Sequence, residues 1–289
     1  FISKADASNI YGSYTGLVYL TPLLGGYISD RYWGNRRSIL VGSILMAIGQ
    51  FLMFFSGNAI TDGVQSASAI SMMWIALTFL IIGNGFFKPN ISTMVGQIYP
   101  KNDHRIDGAF TIFYMGINLG AFFSPLVCGG LGDTGNIHDF RWGFMAAGIG
   151  MLVSTITFEL LKNKHLVTSE GIPVGMPKQK MDAQTYAIIG GSVAFIFFLL
   201  NFKNIFSTGF DPIGYLIYAS MIIMPVIIFS DKSLTKEESQ RISVIFILAF
   251  FVIFFWACFE QAGASLTLFA DSQTDRNILI HIPGWLILV

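Results

Sequence analysis

Two charged residues lie inside long apolar stretches, and their side chains are the first candidates for chemistry. Lys88 occurs in the run GNGFFKPN, roughly 20 Å into its stretch at about 1.5 Å of rise per helical residue. Glu260 occurs in the run FFWACFEQ. In a bilayer such charges need a partner or a proton, and an apolar site favours the protonated carboxyl unless a cation is near. The two residues therefore indicate ion pairing and proton binding. The structural alternatives are a lysine that reaches an interface and a glutamate that fixes helix packing.

Polar uncharged side chains accompany both charges. Amide, phenol and indole groups can hydrogen-bond a polar, peptide-like ligand. For any single aromatic residue, packing against lipid or helices remains the alternative. The candidates are Asn84 and Asn90 beside Lys88, Asn118 in FYMGINLG, Tyr11, Tyr14 and Tyr19 in the first apolar stretch, and Trp256 one turn from Glu260.

The composition excludes several classes of protein. Of the 289 residues, 53% are hydrophobic and 12% charged, with a mean hydropathy of +0.63, whereas a soluble domain has about a quarter charged residues. The formal net charge is zero, so there is no basic excess for nucleic acid. Cys128 and Cys258 lie in apolar runs, and the histidines are scattered. We therefore expect no metal site, no disulfide and no enzymatic centre.

Eight apolar stretches are long enough to cross a bilayer, which takes about 20 helical residues. Spans must satisfy their own backbone polar groups, so each is predicted to be a helix. The fold class is therefore an all-α polytopic membrane protein. The predicted spans are Ile10–Ser29, Ser38–Phe55, Ile70–Ile98, Ile106–Leu131, Gly143–Leu161, Ala183–Phe202, Pro212–Ser230 and Ile242–Ala270.

The basic residues alternate between successive loops. Most of them occur in one set, which the positive-inside rule assigns to the cytoplasm. The polar linker Lys162–Asp182 separates five spans from three. Because the chain stops within an apolar run, we expect it to be part of a longer protein. The cytoplasmic set comprises Arg31, Arg36, Arg37, Lys101, Arg105, Lys162, Lys164, Lys178, Lys180, Lys232, Lys236 and Arg241.

The loop Gly25–Arg37 carries the first specific motif. Its letters, GGYISDRYWGNRR, resemble the loop between the second and third helices of major facilitator transporters. Small residues allow close helix packing, and Asp30 is expected to cap the next helix or to pair with Arg31 or Arg37. The residues that match the motif are Gly26, Asp30, Arg31, Gly34 and Arg37.

Three further runs, IGNGFFKPNIS, FYMGINLG and FFWACFEQ, resemble signatures of the proton-dependent oligopeptide transporters, a family of the major facilitator superfamily. They correspond to helices four, five and seven of that family, in the same order. The resemblance implies a partial major facilitator fold of the prokaryotic type. Residues 1–161 would form an N-terminal bundle without its first helix, and 162–182 a cytoplasmic linker. Residues 183–230 would form two inserted helices, and 231–289 the start of the C-terminal bundle.

The resemblance also implies roles for individual residues. Lys88 would handle protons and the peptide carboxylate, and Asn118 and Tyr19 would contact peptide. Trp256 and Glu260 would meet the peptide amino end and the extracellular gate. The chemistry of a carboxyl in an apolar site also makes Glu260 a candidate for proton coupling together with Lys88. The family's helix-one E-x-x-E-R run is absent from this chain, and Gly12 stands where animal members carry a histidine. The letters from Asn277 to Val289 depart from the family pattern.

We therefore expect a proton-coupled symporter of di- and tripeptides in the bacterial inner membrane, working by alternating access. It would be monomeric, with protons as coupling ions and no other cofactor. A carrier of nitrate or another small anion is the nearest alternative, because Lys88 alone suits an anion, whereas Glu260 favours a zwitterionic peptide. A channel would need a pore element or charge ring, and none is visible in the sequence.

Overall fold

The structure is a computed structural model that describes residues 4–58, 60–61, 64–100, 102–177, 183–206, 210–263 and 265–274. The chain divides into two compact units, Phe1–Ala219 and Ser220–Val289, and each is described by itself. The predicted deviation from Asn277 onward lies outside the described residues, as do Lys178 and Lys180.

The described residues are almost entirely helical, which confirms the predicted fold class. Each of the eight predicted spans corresponds to a long helix. A two-stranded hairpin, Ile60–Thr61 with Val64–Gln65, connects the second and third helices. The helices are α1 (Lys4–Ile28), α2 (Gly34–Asn58), α3 (Ala67–Gln97), α4 (Arg105–Gly132), α5 (Phe140–His165), α6 (Ala183–Phe206), α7 (Pro212–Phe229), α8 (Lys236–Phe259) and the short α9 (Ser265–Ser272).

Six helical stretches among the described residues are long and apolar enough to span a membrane. The first of these, Asp6–Gly57, contains 52 residues because it includes both α1 and α2. Within α6 the apolar segment described is Ile189–Phe202, which is shorter than a membrane span. The difference from the eight predicted spans therefore arises from the join between α1 and α2 and from the shorter segment described in α6.

The segment predicted as a loop, Gly25–Arg37, is helical instead. After α1 the chain forms one π-helical turn, Ser29–Trp33, and α2 begins at once with Gly34. Gly34 has φ of +71°, a conformation that only glycine adopts without steric cost. The prediction of a loop was wrong because a π turn and one glycine suffice to join the two helices.

Contacts with α3 show that the chain reverses direction at Gly34. Along α1, the Thr21 hydroxyl donates to the Ile81 carbonyl (3.0 Å), and Gly25 lies against Gly85. Residue numbers therefore rise together in α1 and α3, so these two helices are parallel.

Along α2 the order is the opposite. Asn35 Nδ2 donates to Asn90 Oδ1 (3.0 Å), and Ser56 Oγ donates to the Ala69 carbonyl (2.7 Å). Thus α2 is antiparallel to α3 and hence to α1. The 52-residue helical stretch is two crossings joined by a reversal, since as one straight helix it would be far longer than the bilayer is thick.

Two apolar clusters form the core of the first unit. One joins α1 and α3 to α6 and the start of α7, with Leu17, Ile81 and Leu199 among its buried members. The other, at the opposite end of α3, contains Ile39, Met94 and Val174. The clusters place α6 on the N-terminal helices and bring part of the predicted linker into the core.

A chain of amides closes the contact between the start of α2 and the end of α3. Asn90 is 1% exposed; its Nδ2 donates to the Phe86 carbonyl (2.6 Å), and its Oδ1 accepts from Asn35. Gln97 Nε2 donates to Asn35 Oδ1 (3.1 Å). Asn90 was one of the candidates for ligand contact, but its side chain is buried and both ends of its amide hydrogen-bond within the helix packing.

The last predicted span, Ile242–Ala270, is not one continuous α-helix. A capping box formed by Thr235 and Glu238 starts α8, which ends at Phe259. A 3₁₀ turn, Glu260–Gly263, follows, and α9 is a separate helix. Apolar letters continue through this region, but Gly263 is a poor helix former, and hydropathy alone therefore placed the end too late.

Gly25→Ala should destabilise the fold, whereas the neighbouring Gly26→Ala should not. A Cβ on Gly25 would collide with the backbone of Gly85, but a Cβ on Gly26 would meet no atom within 4 Å. Overpacking of this kind costs about 1–3 kcal/mol or more, while alanine in an open helical position is neutral or favourable. Thermal unfolding of the purified variants in detergent tests this, and equal midpoints for the two would contradict the described α1–α3 contact.

Candidate functional site

Lys88 and Tyr19 are brought together by the parallel packing of α1 and α3. The Lys88 Nζ atom lies 4.4 Å from the centroid of the Tyr19 ring, within the range of a cation–π interaction. Both side chains are exposed, Tyr19 to 55%. The structure therefore places a cation and a phenol on one open face of the first unit, and both were candidates from the sequence.

The backbone around Lys88 explains how its side chain reaches Tyr19. Side chains in a helix lean toward the helix N-terminus, so Lys88 points away from the nearby end of α3 at Gln97. Pro89 follows directly and lies inside α3; having no N–H, it leaves the Gly85 carbonyl without its usual helical donor. Gly85 is also the point where α1 approaches closest.

An open groove of about 590 Å³ lies between α3 and α4. Ser92, one turn after Lys88, lines one wall. Tyr114, which lines the other wall, lies one turn before Asn118, and Asn118 Nδ2 donates to its carbonyl (2.8 Å). Asn118 itself is exposed. The residues that line the groove lie one turn from Lys88 on α3 and one turn from Asn118 on α4.

Trp256 and Glu260 belong to the second unit. The Trp256 indole contacts the rings of Phe255 (centroids 5.6 Å apart) and Phe259 (5.2 Å) and is 45% exposed. Glu260 is half-buried and is the first residue of the 3₁₀ turn that follows α8. The carboxyl therefore lies where α8 ends rather than in the middle of a helix.

The motif residues between α1 and α2 differ in their surroundings. Asp30, Arg31 and Arg37 are exposed, and within the described residues neither arginine forms an ion pair with Asp30. Arg31 instead donates to the Tyr27 hydroxyl (2.7 Å). Of the two alternatives considered for Asp30, the pairing with Arg31 or Arg37 is therefore not found within the described residues. Gly34 makes the reversal, and Gly26 faces open space.

Sequence reasoning missed Arg36. It is 7% exposed, and its guanidinium is bound by the segment that follows α5. The letters NRRS contain two adjacent arginines, and nothing in them distinguishes the buried one from the exposed one.

The described helices are long and apolar enough to span a membrane, pack closely through glycines, and present a cation on an exposed face. The chain belongs to the POT family: the PTR2 model of that family matches residues 36–286. Members of this family are transporters and not enzymes.

Individual relatives agree with this assignment. The peptide transporter YePEPT of Yersinia enterocolitica is 33% identical over 98% of this chain and 55% of its own length. The di-/tripeptide transporter of Lactococcus lactis subsp. cremoris is 31% identical over 98% of the chain and 57% of its own length. The chain therefore spans about half the length of the curated relatives it matches.

Solved structures show the same fold. A POT family transporter in complex with a thioalcohol-conjugated peptide matches 96% of this chain and 55% of its own, with a TM-score of 0.77 and 30% identity. The peptide transporter POT in complex with sulfate matches 93% of this chain and 53% of its own, with a TM-score of 0.67 and 29% identity. The predicted family and partial major facilitator fold are thus confirmed, while the roles of the individual site residues stay predictions.

Tyr19→Leu should remove the cation–π contact of the Lys88 ammonium and make it more reactive, whereas Tyr19→Phe should not. A cation–π contact at an exposed site contributes about 0.5–1 kcal/mol, so its loss should raise the acylation rate of Lys88 roughly two- to fivefold. Phenylalanine keeps the ring and should leave the rate near that of the wild type. The rate is measured residue by residue by mass spectrometry after treatment with a water-soluble acylating reagent, with the exposed Lys164 as internal control. Equal rates in all three proteins would show that the ring does not hold the ammonium.

Proposed function

We propose that a full-length protein containing this chain carries di- and tripeptides together with protons across the cytoplasmic membrane by alternating access. The observation that carries the proposal is the Lys88 ammonium on the open face of α3, held only by the face of an aromatic ring within the described residues. Membership of the POT family, and relatives described as di-/tripeptide transporters, support it.

The chemistry of the candidate residues suits a zwitterionic peptide. The Lys88 ammonium is a point charge that attracts a carboxylate, and the Tyr19 ring is a weak competitor that a carboxylate can displace. The Asn118 carboxamide offers both donors and an acceptor to a peptide group. Glu260, with Trp256 one turn away, provides a negative group for the peptide ammonium. In this proposal an ammonium recognises the carboxyl end of the substrate and a carboxyl group recognises its amino end.

Proton coupling is assigned to Glu260 together with Lys88. A carboxylate in a membrane protein is stabilised by a nearby cation and neutralised by a proton. Protonation removes the attraction of the carboxylate for a cation. If that ion pair closes one side of the carrier, a proton that enters from outside weakens the contact and favours opening of that side.

Glu260→Gln should abolish pH-driven peptide accumulation but retain peptide counterflow. Glutamine imitates the protonated carboxyl, and exchange of peptide for peptide requires no net proton movement. Lys88→Ala should lose accumulation and also bind peptide more weakly, because it lacks the ammonium. Uptake of labelled dipeptide into liposomes that hold the full-length variants measures both activities.

The control for this experiment is Glu159→Gln. Glu159 lies near the end of α5 with its carboxylate 2.6 Å from the Lys162 ammonium and should not affect coupling. If Glu260→Gln accumulates peptide at the wild-type rate, Glu260 is a packing residue. If liposomes that hold the wild-type protein accumulate labelled nitrate but not labelled dipeptide, the substrate is a small anion.

The membrane topology should place the start of α4 in the cytoplasm and the turn after α4 outside. Arg105 and Asn136 flank this helix and are both exposed, so a single cysteine at either position tests one side of the same span. Cys128 and Cys258 are first replaced by alanine. A membrane-impermeant maleimide should label Asn136→Cys, but not Arg105→Cys, in intact cells, and the opposite pattern would invert the orientation.

A further inference from the structure

The segment after α5 folds into a compact structure at the end of the first unit. Residues 166–177, here called the strap, form a tight hairpin. The Thr168 N–H donates to the Ile172 carbonyl (2.9 Å), and the Val174 N–H donates to the Leu166 carbonyl (3.1 Å). Val167 and Pro173 form an antiparallel bridge between the two arms. The strap is therefore an ordered element within the region expected to be a polar linker.

Arg36 fastens the strap to the start of α2. Its Nε donates to the Val174 carbonyl (2.7 Å), one terminal nitrogen donates to Asn163 Oδ1 (3.0 Å), and the other donates to the Leu166 carbonyl. The Arg36 backbone N–H donates to the Gly175 carbonyl (3.0 Å). These acceptors surround the C-terminal end of α5, where the helix dipole favours a cation. A planar guanidinium can bind several such acceptors at once.

Glycines at two positions allow the strap to approach this closely. A Cβ on Gly34 would collide with the Met176 carbonyl, and the Gly175 oxygen would lie 2.6 Å from it. Gly175 has φ of +69°, and a Cβ there would lie 3.3 Å from atoms of Arg36 and Asn35. The reversal between α1 and α2 and the strap therefore fit together only with small residues on both sides.

Apolar packing adds to the polar contacts. Val174 is 7% exposed and belongs to the cluster of Ile39 and Met94. Beyond the strap, α6 begins at Ala183 and packs on the same unit through Leu199. Both described segments that flank residues 178–182 are thus attached to the N-terminal helices.

We infer that Arg36 and the strap form a latch, which ties the α1–α2 reversal to the end of α5 so that the strap and α1–α5 move as one body during transport. Motion between the two halves of the carrier is then taken up after the strap and not within it. The cation of Arg36 holds the latch closed, and the exposed Arg37 takes no part in it. The structural part of this inference is independent of the proposed substrate.

Hydrogen exchange in the full-length protein tests the latch. The amides of Thr168, Val174 and Arg36 should exchange slowly in the wild type. In Arg36→Ala they should exchange at least tenfold faster, because all three side-chain bonds are lost. Arg36→Lys should give intermediate rates, and Arg37→Ala should match the wild type. Unchanged rates in Arg36→Ala would overturn the assignment.

Gly175→Ala provides a second variant if Arg36→Ala does not fold. It retains the Arg36 charge but strains the backbone of the strap, so the strap amides, and the Arg36 amide that bonds the Gly175 carbonyl, should exchange faster. If they exchange at the wild-type rate, the strap is not held as described.

A distance measurement tests the one-body motion directly. Spin labels at Ser169, at the strap tip, and at Arg37 replace exposed side chains. Their distance distribution should remain the same at low pH with dipeptide and at high pH without it. A shift of several ångströms would show that the strap moves relative to α2. Neither the hydrogen-exchange rates nor the spin-label distance depends on peptide uptake. Both results can therefore be interpreted even if the protein does not transport peptide.

Discussion

The close contact of α3 with α1 and α2 is the constraint on which the rest of the first unit depends. Lipid tails are as apolar as leucine, so helices in a bilayer gain little from burying apolar surface and associate through close packing and polar bonds. Gly25 with Gly85, and Gly42 with Gly83, provide that close packing on two sides of α3. Since α1 is parallel and α2 antiparallel to α3, the chain must reverse between them, and Gly34 is where it does so.

The same contacts explain which polar residues are structural. Thr21 hydrogen-bonds the α3 backbone beside the Gly85 contact, and Asn35 and Asn90 bond each other near the α2–α3 crossing. These groups are satisfied within the protein, as buried polar groups must be. Lys88 and Tyr19 lie on the exposed face of the same helix pair. Polar residues at the close helix contacts therefore stabilise the bundle, whereas polar residues on the exposed face remain accessible.

The helices could be predicted from the sequence because the bilayer sets the length of each apolar run. The contact between Lys88 and Tyr19 could not, since it depends on the relative direction of α1 and α3. The end of α8 at Phe259 was missed because hydropathy does not register a change from α to 3₁₀ geometry. The π turn after Ile28 was missed for the same reason.

The strap shows a different limit of sequence reasoning. Its glycines and prolines are typical of turns, but turn residues do not reveal what a turn packs against. Arg36 and Arg37 are identical in type and adjacent, and about 100° separates them around a helix. Burial of Arg36 follows from contacts with residues more than a hundred positions away, and no local pattern encodes those.

Arg36 and Lys88 show how this fold treats two cations in opposite ways. The Arg36 guanidinium has carbonyl and amide oxygens around it, so removing its partners would leave a buried charge unsatisfied, which is costly. Such a group can change partners only if its surroundings rearrange to supply new acceptors. The Lys88 ammonium rests on the face of an aromatic ring, a contact weak enough at an exposed site to be replaced by a carboxylate. The difference in how firmly each cation is held therefore assigns Arg36 to the framework and agrees with the substrate-binding role proposed for Lys88.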